Sequence, residues 1–247
     1  MKLIRKIIYK FLGLKTYLYI VSKIYITLIK FGFFKKKYAE LHFIKKIIKP
    51  GDVCIDIGAN LGYYTYFLAK ATGKNGKIYA VEPVDIYRNI LSYNIKKYRK
   101  NVTILPYALG KENKTILMGM PVINGIVHHG MTKILDNETN TNIEKKFSVQ
   151  MKIPDEIFDN LNKLNFIKCD VEGYEYYVFS NMIKILTKHK PIVQCELGNN
   201  KINTIQLFET LGYNTYILQN NNLIKQHTDF ILNYPNDVYF IHKDKVF

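Results

Sequence analysis

A chain of 247 residues with 48% hydrophobic and 23% charged side chains can bury a substantial core, which excludes a disordered or fibrous protein. Three cysteines, Cys54, Cys169 and Cys195, are too few and odd in number for a disulfide framework; they point to buried small hydrophobes in a reducing, cytoplasmic compartment. The formal charge of +16 is uneven: ten basic residues and no acid precede Glu40, leaving 26 basic against 20 acidic residues, so the chain reads as a domain with a basic appendage rather than one long nucleic-acid groove.

The appendage spans residues 1–46. Apolar residues at Ile4, Ile7, Phe11, Leu14, Leu18, Val21, Tyr25 and Leu28 step by threes and fours, which is helix periodicity. Lysines interrupt the segment, so it lacks the ~20 uninterrupted apolar residues of a membrane span. A signal peptide is disfavoured too, since no small-residue cleavage site follows. Gly13 and Phe31-Gly32-Phe33 mark places where the helix breaks or ends. The segment suits a helix packed over the core or a partner copy. It also suits a basic amphipathic helix on the anionic inner face of a membrane, with contact through residues 1–37. An RNA-binding arm is the third option, and no nucleic-acid partner is expected.

From residue 47 to 247 the pattern changes to alternating strands and helices. Val53–Ile57 is a short apolar run after the turn Pro50-Gly51-Asp52, and reads as a buried parallel strand. Gly62–Ala71 reads as helix, Lys77–Val81 as strand, Val84–Tyr98 as helix and Val102–Leu105 as strand. A looser, substrate-side insertion occupies 111–155, with strands expected at Thr115–Met118 and Phe147–Ile153 around a polar loop. The alternation resumes with strand Phe166–Asp170, helix Tyr174–Lys188, strand Ile192–Glu196 and helix Asn203–Leu211. Tyr213–Leu218 and Val238–His242 close the chain as an antiparallel hairpin, its connection including Asn220–Asn222. The β-α-β order implies right-handed crossovers: a Rossmann-like α/β fold, with a mostly parallel seven-stranded sheet and helices on both faces.

Two features point to a ligand. Asp56-Ile-Gly58-Ala-Asn60-Leu-Gly62 follows the first strand and opens a helix, where glycines let the backbone approach a ligand. It departs from G-x-G-x-x-G, which counts against a dinucleotide. Glu82-Pro83 follows the second strand, where a carboxylate can accept bonds from both hydroxyls of a ribose.

Together with Ala108-Leu109-Gly110 and Ile167-Lys-Cys-Asp170-Val-Glu172-Gly173-Tyr-Glu175, these motifs resemble the FkbM-type methyltransferases over roughly residues 49–196. The resemblance implies a class I methyltransferase fold that binds S-adenosylmethionine. It assigns Asp56, Gly58, Asn60 and Gly62 to the methionine part and Glu82 to the ribose. The stretch Leu105-Pro106-Tyr107-Ala108 lacks the acid that related enzymes place near adenine, so Tyr107 or backbone groups take that role.

Methyl transfer is an in-line displacement, and a hydroxyl acceptor must also lose a proton. Asp170 and Glu172 sit where the fourth strand ends, at the crevice edge of a parallel sheet. Adjacent acids raise one another's pKa, so one of them can act as base near neutrality. Asp170 is the favoured base and Glu172 a positioner; Glu196 ends the next strand and can reach the same crevice. His128, in His128-His129 of the insertion, is a further candidate proton acceptor. No metal is claimed.

The resulting expectation is an O-methyltransferase acting on a hydroxyl of a surface glycan sugar or a secondary metabolite, with self-association left open. An RNA methyltransferase is the rival enzyme, and a non-catalytic membrane-surface module the rival of another class. Against the first, no Asn/Asp-Pro-Pro-Tyr/Phe motif is present.

Overall fold

A computed structural model describes residues 2–123, 126–135, 143–198, 200–227 and 237–245. Helices α1 (Lys2–Lys30) and α2 (Ala39–Ile47) lead in. The expected alternation follows as β1 (Val53–Ile57), α3 (Tyr63–Thr72), β2 (Lys77–Val81), α4 (Asp85–Asn94) and β3 (Val102–Leu105). Next come β4 (Tyr107–Leu109), β5 (Lys114–Ile123), β6 (Ile126–Val127), β7 (Lys133–Ile134), β8 (Ile143–Lys152) and the short α5 (Pro154–Phe158). The core resumes with β9 (Phe166–Cys169), α6 (Glu175–Phe179), α7 (Ile183–His189), β10 (Ile192–Glu196) and α8 (Lys201–Thr210). It ends with β11 (Tyr213–Gln219), β12 (Asn222–Gln226) and β13 (Asp237–His242).

The main sheet has the order β12-β11-β13-β10-β9-β1-β2-β3. Strands β3, β2, β1, β9 and β10 pair in parallel, and β13 joins antiparallel between β10 and β11. Successive residues of β1 face opposite layers. Cys54 packs with α2 and α3 through Leu41, Phe43 and Leu68, while Ile55 packs with α6, α7 and α8 through Phe179, Leu186 and Phe208. All three cysteines are free and buried.

The sheet holds eight strands where seven were expected. β11 and β13 pair antiparallel as expected, but the connection between them adds a strand at its asparagine stretch. Asn220 and Asn221 adopt left-handed φ values of 50° and 62° and close a two-residue turn, folding β12 back along β11. Asparagine tolerates that conformation, which the tightest hairpins require. One expected helix, Tyr174–Lys188, is two. The carboxylate of Asp155 accepts the N–H groups of Lys184 and Ile185 at 3.1 Å each, giving α7 its own N-terminal cap.

The insertion forms a small second sheet around the antiparallel pair β5–β8, with β4 parallel to β8. Of the polar loop expected between Met118 and Phe147, residues 124–125 and 136–142 lie outside the described residues, while the rest lengthens β5 and β8 and adds the short β6 and β7. Helix α1 kinks at Gly13 (φ 71°), as its sequence suggested. By length and composition Phe11–Lys30 could cross a membrane, but its apolar residues are divided between two faces. Leu14, Tyr17, Leu18 and Val21 are buried in a cluster with Tyr87 and Ile90 of α4 and Met120 of β5. Inside that contact, Asn94 Nδ2 donates to Ser22 Oγ at 2.9 Å and to the Leu61 carbonyl at 2.8 Å.

Candidate functional site

The chain runs from β1 to β2 and β3 on one side, then returns to β9 and β10 on the other, so the winding reverses between β1 and β9. A crevice opens at the carboxyl ends of strands at such a reversal. Here it is a cavity of about 260 Å³, just below the ~300–1,000 Å³ of common small-molecule sites.

The glycine turn forms its floor. The N–H groups of Gly58 and Ala59 both donate to the Val81 carbonyl at 3.0 Å. Gly58 has φ 78°, and a Cβ there would lie 1.9 Å from the Asp170 carbonyl oxygen. Asn60, at φ 49°, donates its N–H to Glu82 Oε2 at 2.8 Å and its side-chain amide to the His129 carbonyl at 3.2 Å. Its Oδ1 is buried with no hydrogen-bond partner among the described residues. Gly62 does not line the cavity; its φ of 85° starts α3 close against Leu91.

Glu82 is buried on the cavity wall, and its second oxygen accepts the Val84 N–H at 2.8 Å. Burial pushes its pKa up to about 7, against the pull of those two N–H groups and of Arg88. Asp56 is likewise raised by burial to about 6, although Thr65 Oγ1 donates to it at 2.6 Å. These shifts make a stability prediction. The folded chain holds protons that the unfolded chain has released between the ordinary carboxylate pKa and about 7. Stability from these groups is therefore complete at acid pH and lost as pH rises through that window. Glu82 alone accounts for about 3 kcal/mol. Thermal melts of the ligand-free protein at pH 5 and pH 8 will show a smaller difference for Glu82→Gln than for the parent; an unchanged difference would place the linked proton elsewhere.

The opposite wall is ionic. Asp56, Lys168, Gln194 and Tyr239 are successive cross-strand partners on β1, β9, β10 and β13, a polar row through the buried sheet. Lys168 is fully buried, with Nζ 3.4 Å from Asp170 Oδ2 and 5.0 Å from the Tyr64 ring centre. Burial alone would drive off its proton; Asp170 and Asp237 outweigh it and hold the ammonium above the ordinary lysine value. Glu172, at φ 53°, stands at the rim. Partial desolvation, then the carboxylates of Asp170 and Glu175, push it up to about 7. Glu196 reaches about 7 through burial and the nearby Asp170 and Asp237, but it is not part of the cavity wall. Among the described residues, no group of three or more His, Cys, Asp or Glu side chains is placed to hold a metal ion.

Of the site residues expected from sequence, Asp56, Gly58, Asn60, Glu82, Tyr107, Asp170 and Glu172 meet at this cavity. His128 does not; its neighbour His129 lines the wall instead. Which of two adjacent histidines faces inward depends on the local turn, which sequence spacing does not reveal. Glu175 closes the motif after β9, and its sequence position alone predicts no role. It is buried, accepts N–H groups from Val171 and Gly173 at 3.3 and 2.9 Å through one oxygen, and from Gly198 at 3.2 Å through the other. It thereby ties the loop after β9 to the loop after β10. Its spacing from Asp170 and Glu172 was the available signal.

Residues 56–236 match the family model described as the methyltransferase FkbM domain. The chain belongs to that family. The domain is accordingly an S-adenosylmethionine-dependent methyltransferase. A crystal structure of methyltransferase FkbM from Methylobacillus flagellatus is similar at 13% identity and a TM-score of 0.50, over 82% of this chain and 50% of that one. This FkbM domain thus spans about half the length of that protein, and at such identity the likeness shows the fold. A SAM-dependent O-methyltransferase from Thermotoga maritima matches at 14% identity and TM-score 0.44, over 85% of this chain and 67% of the other. Fibrillarin from Aeropyrum pernix, solved with natively bound S-adenosyl-L-methionine, matches at 11% and 0.46, over 79% and 68%. No curated protein matches the chain.

The residues present fit S-adenosylmethionine. A side chain at position 58 would fill the space beside the Asp170 carbonyl. A buried acceptor on Asn60 waits for a donor. A buried carboxylate, Glu82, faces the same cavity.

Proposed function

We propose that this FkbM domain transfers the methyl group to a hydroxyl, carried by a sugar of a surface glycan or by a secondary metabolite. One observation carries the reading. Glu172 stands at the cavity rim with a pKa of about 7, so it is ionised yet still basic near neutral pH. A hydroxyl acceptor needs such a group; an already deprotonated acceptor does not.

The cofactor supplies a methyl already activated on sulfur, and the protein supplies alignment and proton removal. Gly58 and Asn60 would hold the methionine end, with Asn60 Oδ1 accepting from an ammonium group. Glu82 would accept the ribose hydroxyls, and Tyr107 would line the adenine side. Sequence reasoning favoured Asp170 as base. The Lys168 ammonium beside it supports the reverse division: Asp170 fixes the acceptor and Glu172 takes its proton. His129 then stands nearer the acceptor than His128.

Two experiments bear on this. Calorimetry with S-adenosylhomocysteine tests the pocket: Glu82→Gln removes a charged acceptor for two hydroxyls, and affinity should fall on the order of 100-fold. Parent-like affinity in that variant would remove Glu82 from the site. Transfer of isotope-labelled methyl into glycan and metabolite extracts tests the chemistry. The product should be an alkali-stable methyl ether by mass spectrometry; an alkali-labile ester or an N-methylated product would overturn the hydroxyl assignment.

A further inference from the structure

The turn after α1 carries features that methyl transfer does not use. Phe31 and Phe33 are 71% and 58% exposed, and Phe34 is also exposed. Lys30, Lys35, Lys36 and Lys37 surround them, all exposed. None of these four lysines makes an ion pair among the described residues. No acid occurs before Glu40, and Glu40 is half-buried toward Asp237 and Lys168. Large aromatics normally leave water, so adjacent exposed ones mark a contact surface.

The turn also adjoins the cavity wall. Phe34 stacks on Tyr25 at 5.9 Å and meets Tyr38 edge-on at 6.4 Å, and Tyr25 meets Tyr63 at 6.4 Å. Tyr38 and Tyr63 line the cavity wall. Lys37 Nζ lies 5.3 Å from the Tyr38 ring centre.

We propose that the Phe31–Lys37 turn docks the domain on an anionic membrane surface, with the aromatic rings entering the headgroup layer and the lysines meeting lipid phosphates. The charge is complementary to such a surface: basic, with no acid, beside rings that suit the interface. The buried face of α1 holds the turn rigidly to the domain, since Ile26 and Ile29 of its last turns are in the core. A protein partner would need matching acids and a shaped apolar recess; a bilayer needs neither. The cavity wall at Tyr38 and Tyr63 then lies close to the bilayer, where a lipid-borne hydroxyl is presented. That consequence rests on the hydroxyl-acceptor reading, whereas docking does not, and the following assay reads docking alone.

The full chain is sedimented with vesicles of phosphatidylglycerol mixed with phosphatidylcholine, and with phosphatidylcholine alone. Binding is expected to the anionic vesicles, released by high salt and by alkaline carbonate. Lys30→Gln with Lys35→Gln and Lys36→Gln should weaken it on the order of 100-fold. Phe31→Ser with Phe33→Ser should weaken it while S-adenosylhomocysteine affinity stays at the parent value, which shows that the variant is folded. Four outcomes overturn the proposal: equal binding to both vesicle types, unchanged binding by both variants, retention after carbonate (a spanning helix), or RNA that displaces the protein from the vesicles.

Discussion

Gly58→Ala is expected to destabilise the domain by at least ~3 kcal/mol and to abolish S-adenosylhomocysteine binding. The added Cβ would lie 1.9 Å from the Asp170 carbonyl oxygen and 3.0 Å from its carbon, both backbone atoms. The strands cannot simply part, because the Asp170 N–H donates to the Ile57 carbonyl at 3.1 Å and the Gly58 N–H to Val81 at 3.0 Å. A positive φ of 78° adds its own penalty for any side chain. Gly62→Ala is the control. Its φ is similar, but the new Cβ would meet Leu91 off the cavity, at 3.0 Å from Cγ and 3.3 Å from Cα, without the 1.9 Å overlap that position 58 suffers. That variant should lose roughly 1–2 kcal/mol and still bind. Thermal melts and calorimetry on the pair decide the matter. If Gly58→Ala binds as tightly as the parent, the glycine turn is not the cofactor floor.

The cofactor side of the site was legible because it is local. The strand Val53–Ile57, the glycines that follow and Glu82 after the next strand are consecutive features, and periodicity with turn chemistry places each. What stayed hidden depends on strand order and on contacts between distant residues. Nothing in the run Val238–His242 says that β13 inserts between β10 and β11. The double asparagine before Asn222 did carry a hairpin signal, but it belonged to β11 and β12. Lys168 sits in a strand that reads as uniformly apolar but for itself. Its pairing with Asp170, two residues on and on the same face, is local; what stayed hidden is that β10 and β13 bring Gln194 and Asp237 alongside. The break between α6 and α7 is set by Asp155, which reaches in from the insertion.

That ion pair also shapes the second large effect. Glu172→Gln should lower kcat by roughly 100- to 10,000-fold, the range general-base catalysis commonly supplies. S-adenosylhomocysteine affinity should stay within about threefold, since binding is carried by Glu82 and the glycine turn rather than by the exposed Glu172. The pH profile separates a base from a mere support. Only ionised Glu172 accepts a proton, so below its pKa of about 7 the parent rate should fall about tenfold per pH unit. The residual rate of Glu172→Gln should lose that limb when measured at saturating cofactor, where Glu82 is already engaged. Asp170→Asn should behave differently. It leaves the Lys168 ammonium facing a neutral amide, weakens acceptor placement and raises KM, while the limb near pH 7 shifts downward because a neighbouring negative charge is gone. A Glu172→Gln enzyme with parent-like kcat would return the proton to Asp170 or His129. The same variant with an intact limb near pH 7 would assign the titration to Glu196, whose carboxyl is raised to the same value by burial and then by the Asp170 and Asp237 charges.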